Sequence, residues 1–215
     1  MGAENKSGQR LGAKGKRTRL RMIAATRSLI EASRGAVPTS AAIAREVNLS
    51  APTFNLYFED VAEAVLAAIQ PIKDELAPAI ELLAADWPEE EAFERAQAFV
   101  KAYFNYWKSH AALVRVRNRL ADDGDERFVM LRLESIRPLV AALAAKMAAP
   151  KARSRVIGTR EQVATILVVA LERTATVKVL GSYPKEVGDR ADMIDVFASM
   201  IVHAMRSAED SPDHR

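Results

Sequence analysis

Seven uncharged side chains between residues 39 and 57 carry hydrogen-bonding groups close together: Thr39, Ser40, Asn48, Ser50, Thr53, Asn55 and Tyr57. Their chemistry suits recognition, because a hydroxyl donates to a phosphate oxygen and an asparagine amide can make a two-point hydrogen bond to adenine. Ahead of them, residues 1–21 hold Lys6, Arg10, Lys14, Lys16, Arg17, Arg19 and Arg21 against the single acid Glu4, with glycines at 2, 8, 12 and 15. A cationic arm of this kind neutralises phosphates or enters a minor groove, although a solubilising tail has the same composition. Groups for bond-breaking chemistry are missing. His110, His203 and His214 are scattered, cysteine is absent, and no Gly-rich phosphate loop or metal-spaced His/carboxylate cluster is present. The expectation is a protein that is not an enzyme and uses no cofactor or metal.

The polar residues need a scaffold, and the stretch Thr39–Phe58 supplies one. Thr39 follows Pro38, and its hydroxyl is placed to cap a helix over Ser40–Val47, on which Ile43 and Val47 face inward together. Asn48 sits where the chain must turn sharply, and asparagine tolerates the left-handed backbone conformation. Leu49 plugs the corner. Ser50 is positioned as the next N-cap, with Pro52 in the first turn, where a missing N–H costs nothing. At about 100° per residue, Phe54 and Phe58 share the inner face. Pro52, Thr53 and Leu56 point away, and Asn55 and Tyr57 flank them. Two short helices with such a turn form a helix-turn-helix, whose second helix ordinarily enters the major groove of DNA.

Arg21-Met22-Ile23 opening a first helix, Gly35 ending it, Thr39-Ser40 and Ile43-Ala44 on the second, Leu49 to Phe54 on the turn and third, and Tyr57-Phe58 before a fourth resemble the TetR/AcrR family of transcriptional regulators. The resemblance covers roughly residues 17–70. It implies phosphate contacts from Thr39, Ser40, Ser50, Thr53 and Tyr57. It departs from the family at Asn55, where a tyrosine is usual, and at Val61, where a phosphate-holding lysine is usual. Of the outward residues only Asn55 can read adenine by two hydrogen bonds, whereas Pro52 and Leu56 offer apolar contact, for example to a thymine methyl. Phosphate and arm contacts, with Lys14, Lys16 and Arg17 foremost, are therefore expected to supply much of the affinity for double-stranded DNA.

In the 215 residues, hydrophobic types make up 49%, enough for a sizeable core. No strand-like alternation is apparent, so the chain reads as all-α. The net charge of +3 conceals an asymmetry: residues 1–61 carry ten Lys/Arg against five acids, whereas 62–215 carry 21 against 23. No apolar run reaches membrane-spanning length and no signal peptide is evident, so a cytoplasmic protein with no membrane partner is expected. The expected organisation is a flexible basic arm (1–16), a helix-turn-helix DNA-binding domain (17–70) and an effector-binding and dimerisation domain (71–215). A fourth helix should start at an Asp60/Glu63 capping box and run to Pro71 or beyond, bent near Pro71 or Pro78. Further helices are expected at about 88–109, 111–121, 125–149, 160–180 and 189–207. Breaks fall at Trp87-Pro88, Asp122–Asp125, Pro150–Gly158 and Gly181–Gly188.

Within 88–109, Phe93, Val100, Tyr103, Phe104 and Trp107 form a stripe at helical spacing. On the residues alone this is a core signature. The resemblance implies an apolar cavity for a small-molecule effector, whose wall the stripe would form, helped by a kink at Pro138. Asn118, Glu134, Glu172 and Thr176 are the polar groups that could orient such a ligand, or they are solvated or structurally paired. The last two helices, the first opening on a Thr159/Gln162 capping box, are apolar on more than one face, which fits deep burial. The terminal position and the resemblance imply a homodimer interface through Leu167, Leu171, Val177, Phe197, Met200 and Ile201. The leading expectation is a homodimeric, ligand-released repressor of a palindromic operator. A DNA-binding factor without an effector, or a helical lipid- or small-molecule-binding protein, remains the alternative.

Overall fold

The computed structural model describes residues 12–147, 158–179 and 190–206. The basic positions before Gly12, most of the 150–158 break, the whole 181–188 break and His214 lie outside these. Ten α-helices occur among the described residues: α1 (Ala13–Ala32), α2 (Ser40–Glu46), α3 (Ala51–Phe54), α4 (Val61–Ile69), α5 (Ala77–Ala84), α6 (Ala92–Ser109), α7 (Ala111–Asp122), α8 (Glu126–Lys146), α9 (Arg160–Val179) and α10 (Arg190–Arg206). No strand occurs among them, so the fold is all-α. The described residues divide into two compact units. One is drawn from 1–73 and 110–132, the other from 74–109 and 133–215. A single division at residue 70, as the sequence suggests, therefore leaves α7 and the start of α8 out of the unit in which they pack.

In the first unit, α1 buries Met22, Ala25, Thr26 and Ile30 along one face. It ends in a pair of left-handed residues, Arg34 (φ 56°) and Gly35 (φ 102°), and the Gly35 N–H reaches back to the Ile30 carbonyl at 2.8 Å. Glycine is required at 35 for a second reason. A Cβ there would lie 3.1 Å from the Ala112 carbonyl oxygen of α7, and Arg115 of α7 donates to the Arg34 carbonyl at 3.0 Å. The shared core is Met22, Ala25, Ile43, Ala44, Val47, Phe54, Phe58 and Ala64, with Val61 packed against it. Asp60, the N-cap, accepts the Glu63 N–H at 2.6 Å, and Glu63 accepts the N–H of Glu59, one residue before the cap, at 2.7 Å; together they start α4. The helix stops at Ile69, sooner than the sequence suggests. Pro71 has no N–H for the carbonyl four residues back and crowds it, so the chain continues as a 3₁₀ segment over Gln70–Leu76. A separate α5 then starts with Pro78 in its first turn.

In the second unit α6 packs against α5, α9 and α10. It buries Phe99, Val100, Tyr103, Phe104, Tyr106 and Trp107, and Phe104 meets Phe197 of α10 edge to face at 6.3 Å. A reciprocal cap opens α9, with Thr159 N–H to Gln162 Oε1 at 2.8 Å and Gln162 N–H to Thr159 Oγ1 at 3.2 Å. Trp87 is fixed by its indole N–H on the Leu82 carbonyl at 2.8 Å and lies 5.2 Å beneath the Lys146 ammonium.

Candidate nucleic-acid interface

The helix-turn-helix forms from local rules that each leave a trace. Thr39 Oγ1 accepts the Ala42 N–H at 3.1 Å, Val47 closes α2, and Asn48 takes φ 59° to turn the corner. One α-helical turn, α3, follows, and the Leu56 and Tyr57 N–H groups then bond three residues back, carrying the helical path to Phe58. Phe54 and Phe58 stack at 5.2 Å and are buried. Pro52, Asn55 and Leu56 are exposed, Leu56 at 62%. Thr53 and Tyr57 are half-buried beside them, and Ser40 opens α2 half-buried while Thr39 and Ser50 are exposed. The structure thus gathers all eight of the sequence-predicted helix-turn-helix contact residues in one unit.

Ser50 differs from its expected role. Its backbone is extended as an N-cap requires, but its hydroxyl pairs with the Thr53 hydroxyl at 2.7 Å instead of a backbone N–H. Whichever oxygen donates within the pair, the other keeps its proton. The pair therefore retains one O–H that a phosphate oxygen can accept.

The cationic stretch also differs. Residues 13–16, expected in a flexible arm, belong to α1, so Lys14, Lys16 and Arg17 project from a helix. All three are exposed and have no side-chain partner among the described residues. Arg19 and Arg21 are not available in that way. Arg19 donates to Glu63 Oε1 at 2.8 Å, with its guanidinium 4.6 Å over the Phe58 ring, and Arg21 donates to the Val47 carbonyl that ends α2 at 3.0 Å. These two brace the motif. In the sequence both read as phosphate-neutralising charges, because neither partner is near in the chain.

The residues expected around an effector are dispersed. Val100, Tyr103, Phe104 and Trp107 form core of the second unit, Phe93 is exposed at 36%, and Glu134 is exposed. Glu172 is buried, and the Thr176 hydroxyl donates to its carbonyl at 2.8 Å. Asn118 lies in the first unit and accepts from Arg117 Nε at 3.0 Å. None lines either of two open clefts in the second unit. One, about 830 Å³, lies between α6 and α10 along Gln97, Lys101, Asn105 and Asp195. The other, about 390 Å³, lies beside Trp87, Lys146, Met147 and Met205. The sequence stripe is core because α6 is surrounded: Phe99 and Tyr106, off the stripe, are buried as well.

The expected dimer residues lie mostly in the core of the second unit as well. Leu167, Leu171, Phe197 and Ile201 are buried within the protomer, and Val177 is half-buried; only Met200 is exposed. On α9 the exposed apolar residues are Ile166 and Val169, and on α10 Val196 and Met200, at three- and four-residue spacing. Each pair lies about half a turn from the buried stripe of its own helix.

Two helical units, one of them carrying a helix-turn-helix with an outward polar and apolar face, have the architecture of a transcriptional regulator. The family model for the tetracyclin repressor-like C-terminal domain matches residues 79–185. Among solved structures, the fatty acid degradation regulator FadR from Bacillus halodurans is similar in fold, with a TM-score of 0.53 at 12% identity, covering 92% of this chain and 99% of that one. No curated protein sequence matches. The chain belongs to the TetR family, a family of ligand-responsive transcriptional regulators rather than enzymes. Among the described residues no helix is long and apolar enough to cross a membrane.

Proposed function

We propose that the protein is a homodimeric repressor that binds a palindromic operator and is released by a small, largely apolar effector. The first unit is the DNA reader and the second carries effector binding and dimerisation. The observation that carries this reading is the division of α3 and its following turn into a buried side, Phe54 and Phe58, and an outward side of Pro52, Thr53, Asn55 and Leu56. That face is offered to a groove and is not used by the protein's own core. Exposed Ile166, Val169, Val196 and Met200 support the dimer, since a helix apolar on both sides needs a second partner. A twofold dimer presents two recognition elements to half-sites related by the same symmetry. An effector that binds the low-affinity arrangement better shifts the population away from DNA. The fold neighbour's name, a fatty acid degradation regulator, is in keeping with an apolar effector.

The test is binding of the purified protein to labelled duplexes from the DNA flanking its own coding region. We expect one palindromic segment to be preferred over random duplex by a hundredfold or more, of the order usual for specific recognition. Apolar carboxylates, added as a panel, should lower that affinity. A dimer with no preference for any flanking segment overturns the reading.

A further inference from the structure

The end of the recognition element is held by a polar chain that begins on α8. Arg127, in the first turn of α8, grips Asp60 with both terminal nitrogens, Nη1 to Oδ1 at 3.2 Å and Nη2 to Oδ2 at 3.1 Å. The same guanidinium is itself oriented by Asp125, through Nε to Oδ1 at 3.0 Å and Nη2 to Oδ2 at 2.7 Å, and Asp125 also accepts the Arg127 N–H at 3.1 Å. Asp60 caps α4 through the Glu63 N–H, and Glu63 in turn holds Arg19, which lies over Phe58. Phe58 stacks on Phe54 of α3. All of these residues belong to the first unit.

Charge and geometry agree along this chain. Burial pushes the Asp60 carboxyl up, but the Arg127 hydrogen bonds, the Glu63 N–H and the Arg127 charge together hold it below the ordinary aspartate range. Asp125 is lowered chiefly by its hydrogen bond from Arg127, and Arg127 is raised by both carboxylates. A guanidinium fixed by two carboxylates has little rotational freedom left, so it fixes in turn the carboxylate that starts α4. Neither Asp60 nor Arg127 belongs to the outward face of Pro52, Thr53, Asn55 and Leu56.

We propose that Arg127 is a positioning residue for DNA recognition: anchored by Asp125, it sets the start of α4 through Asp60 and, through Glu63 and Arg19, the seat of Phe58 behind the reading face. The proposal rests on the DNA-binding reading above for its consequence, though not for its geometry. Because Arg127 lies in the first turn of α8, the anchor point belongs to a helix rather than to a loop.

Two measurements test it together. In the free protein, hydrogen exchange of residues 54–63 is followed in Arg127→Ala and in Asp60→Asn, the latter keeping an N-cap acceptor while losing the charge. Exchange there should rise about tenfold in both, with Met22 and Ile43 unchanged. The double variant should be no worse than the worse single one. In operator titrations across salt, Arg127→Ala should lose about fivefold in affinity, equivalent to about 1 kcal/mol, with the salt slope unchanged. Arg127→Lys should recover part of it, and Arg119→Ala, which removes an exposed charge from α7, should lose less. Exchange at 54–63 that stays at the wild-type rate, rises equally throughout the unit, or multiplies in the double variant overturns the proposal. So does a salt slope that falls by about one, which would make Arg127 a phosphate contact. If the wild type binds no operator, the DNA-binding reading fails while the exchange data still decide the positioning role.

Discussion

The proposed dimer makes a sharp distinction between neighbouring residues of α9. Ile166 is 68% exposed and Leu167 only 4%. Covering the remaining surface of Ile166 is worth about 1.5 kcal/mol at the usual return for burying an aliphatic side chain. A twofold axis counts the residue twice, giving about 3 kcal/mol per dimer. Ile166→Asp forfeits this and adds a carboxylate to be desolvated on each protomer, so the dimer dissociation constant should rise at least about a hundredfold. Sedimentation velocity across a concentration series reads that shift directly, and circular dichroism should show the helices intact. Met200→Asp should act alike, because Met200 is 44% exposed on α10. Leu167→Asp should instead unfold the second unit, as its carboxylate would be trapped in the protomer's own core. A folded Ile166→Asp protein that stays dimeric at the wild-type concentration would refute the assignment of this face.

Salt titrations separate the two kinds of cation at the amino end. Lys14→Ala, Lys16→Ala and Arg17→Ala should each reduce the slope of operator affinity against salt by about one, whereas Arg19→Gln should leave the slope alone and lower the melting temperature instead. The opposite pattern would restore Arg19 as a phosphate contact. Gly35→Ala should cost more than about 1 kcal/mol in chemical denaturation, since alanine meets both the positive φ and the Ala112 carbonyl. Asp60 and Asp125 have folded pKa values below the ordinary 3.8. Their stabilisation is therefore complete above the unfolded pKa and is lost as pH falls through the lower folded values. The pair's contribution to the melting temperature should be full and constant between pH 7 and about pH 5. It should drop below about pH 4, less steeply in Asp60→Asn; a drop of equal steepness in that variant would remove Asp60 from the account.

Features encoded within a few residues are legible in the sequence. The caps at Thr39, Asp60 and Thr159 each depend on a partner three residues ahead, and the left-handed turn at Asn48 depends on one side chain. The reading face followed from helical periodicity alone. Features that depend on what lies opposite were not readable. For α9 and α10 the sequence shows apolar residues all round, and it does not distinguish those that fill the protomer's core, Leu167, Leu171, Phe197 and Ile201, from those left outside. What remains outside is Ile166, Val169, Val196 and Met200, of which only Met200 is among the expected interface residues. On α6 likewise, a helix packed against three others buries residues off the stripe too.

The sparse reading face makes the bracing of the motif more important. Asn55 is the one outward side chain able to make a two-point contact to a base, and a two-point hydrogen bond tolerates little rotation of its carrier. With a single helical turn as α3, the local ladder cannot provide that rigidity. It has to come from Phe54 and Phe58 behind the turn and from the charges around them. Arg19 and Arg127 carry those charges from opposite ends of the unit's sequence, and both end on the capping box of α4. Nothing local in the sequence signals Arg127, because Asp60 lies 67 positions away. The same separation explains why the Asp122–Asp125 cluster read only as a break between helices, although Asp125 is the residue that orients the guanidinium.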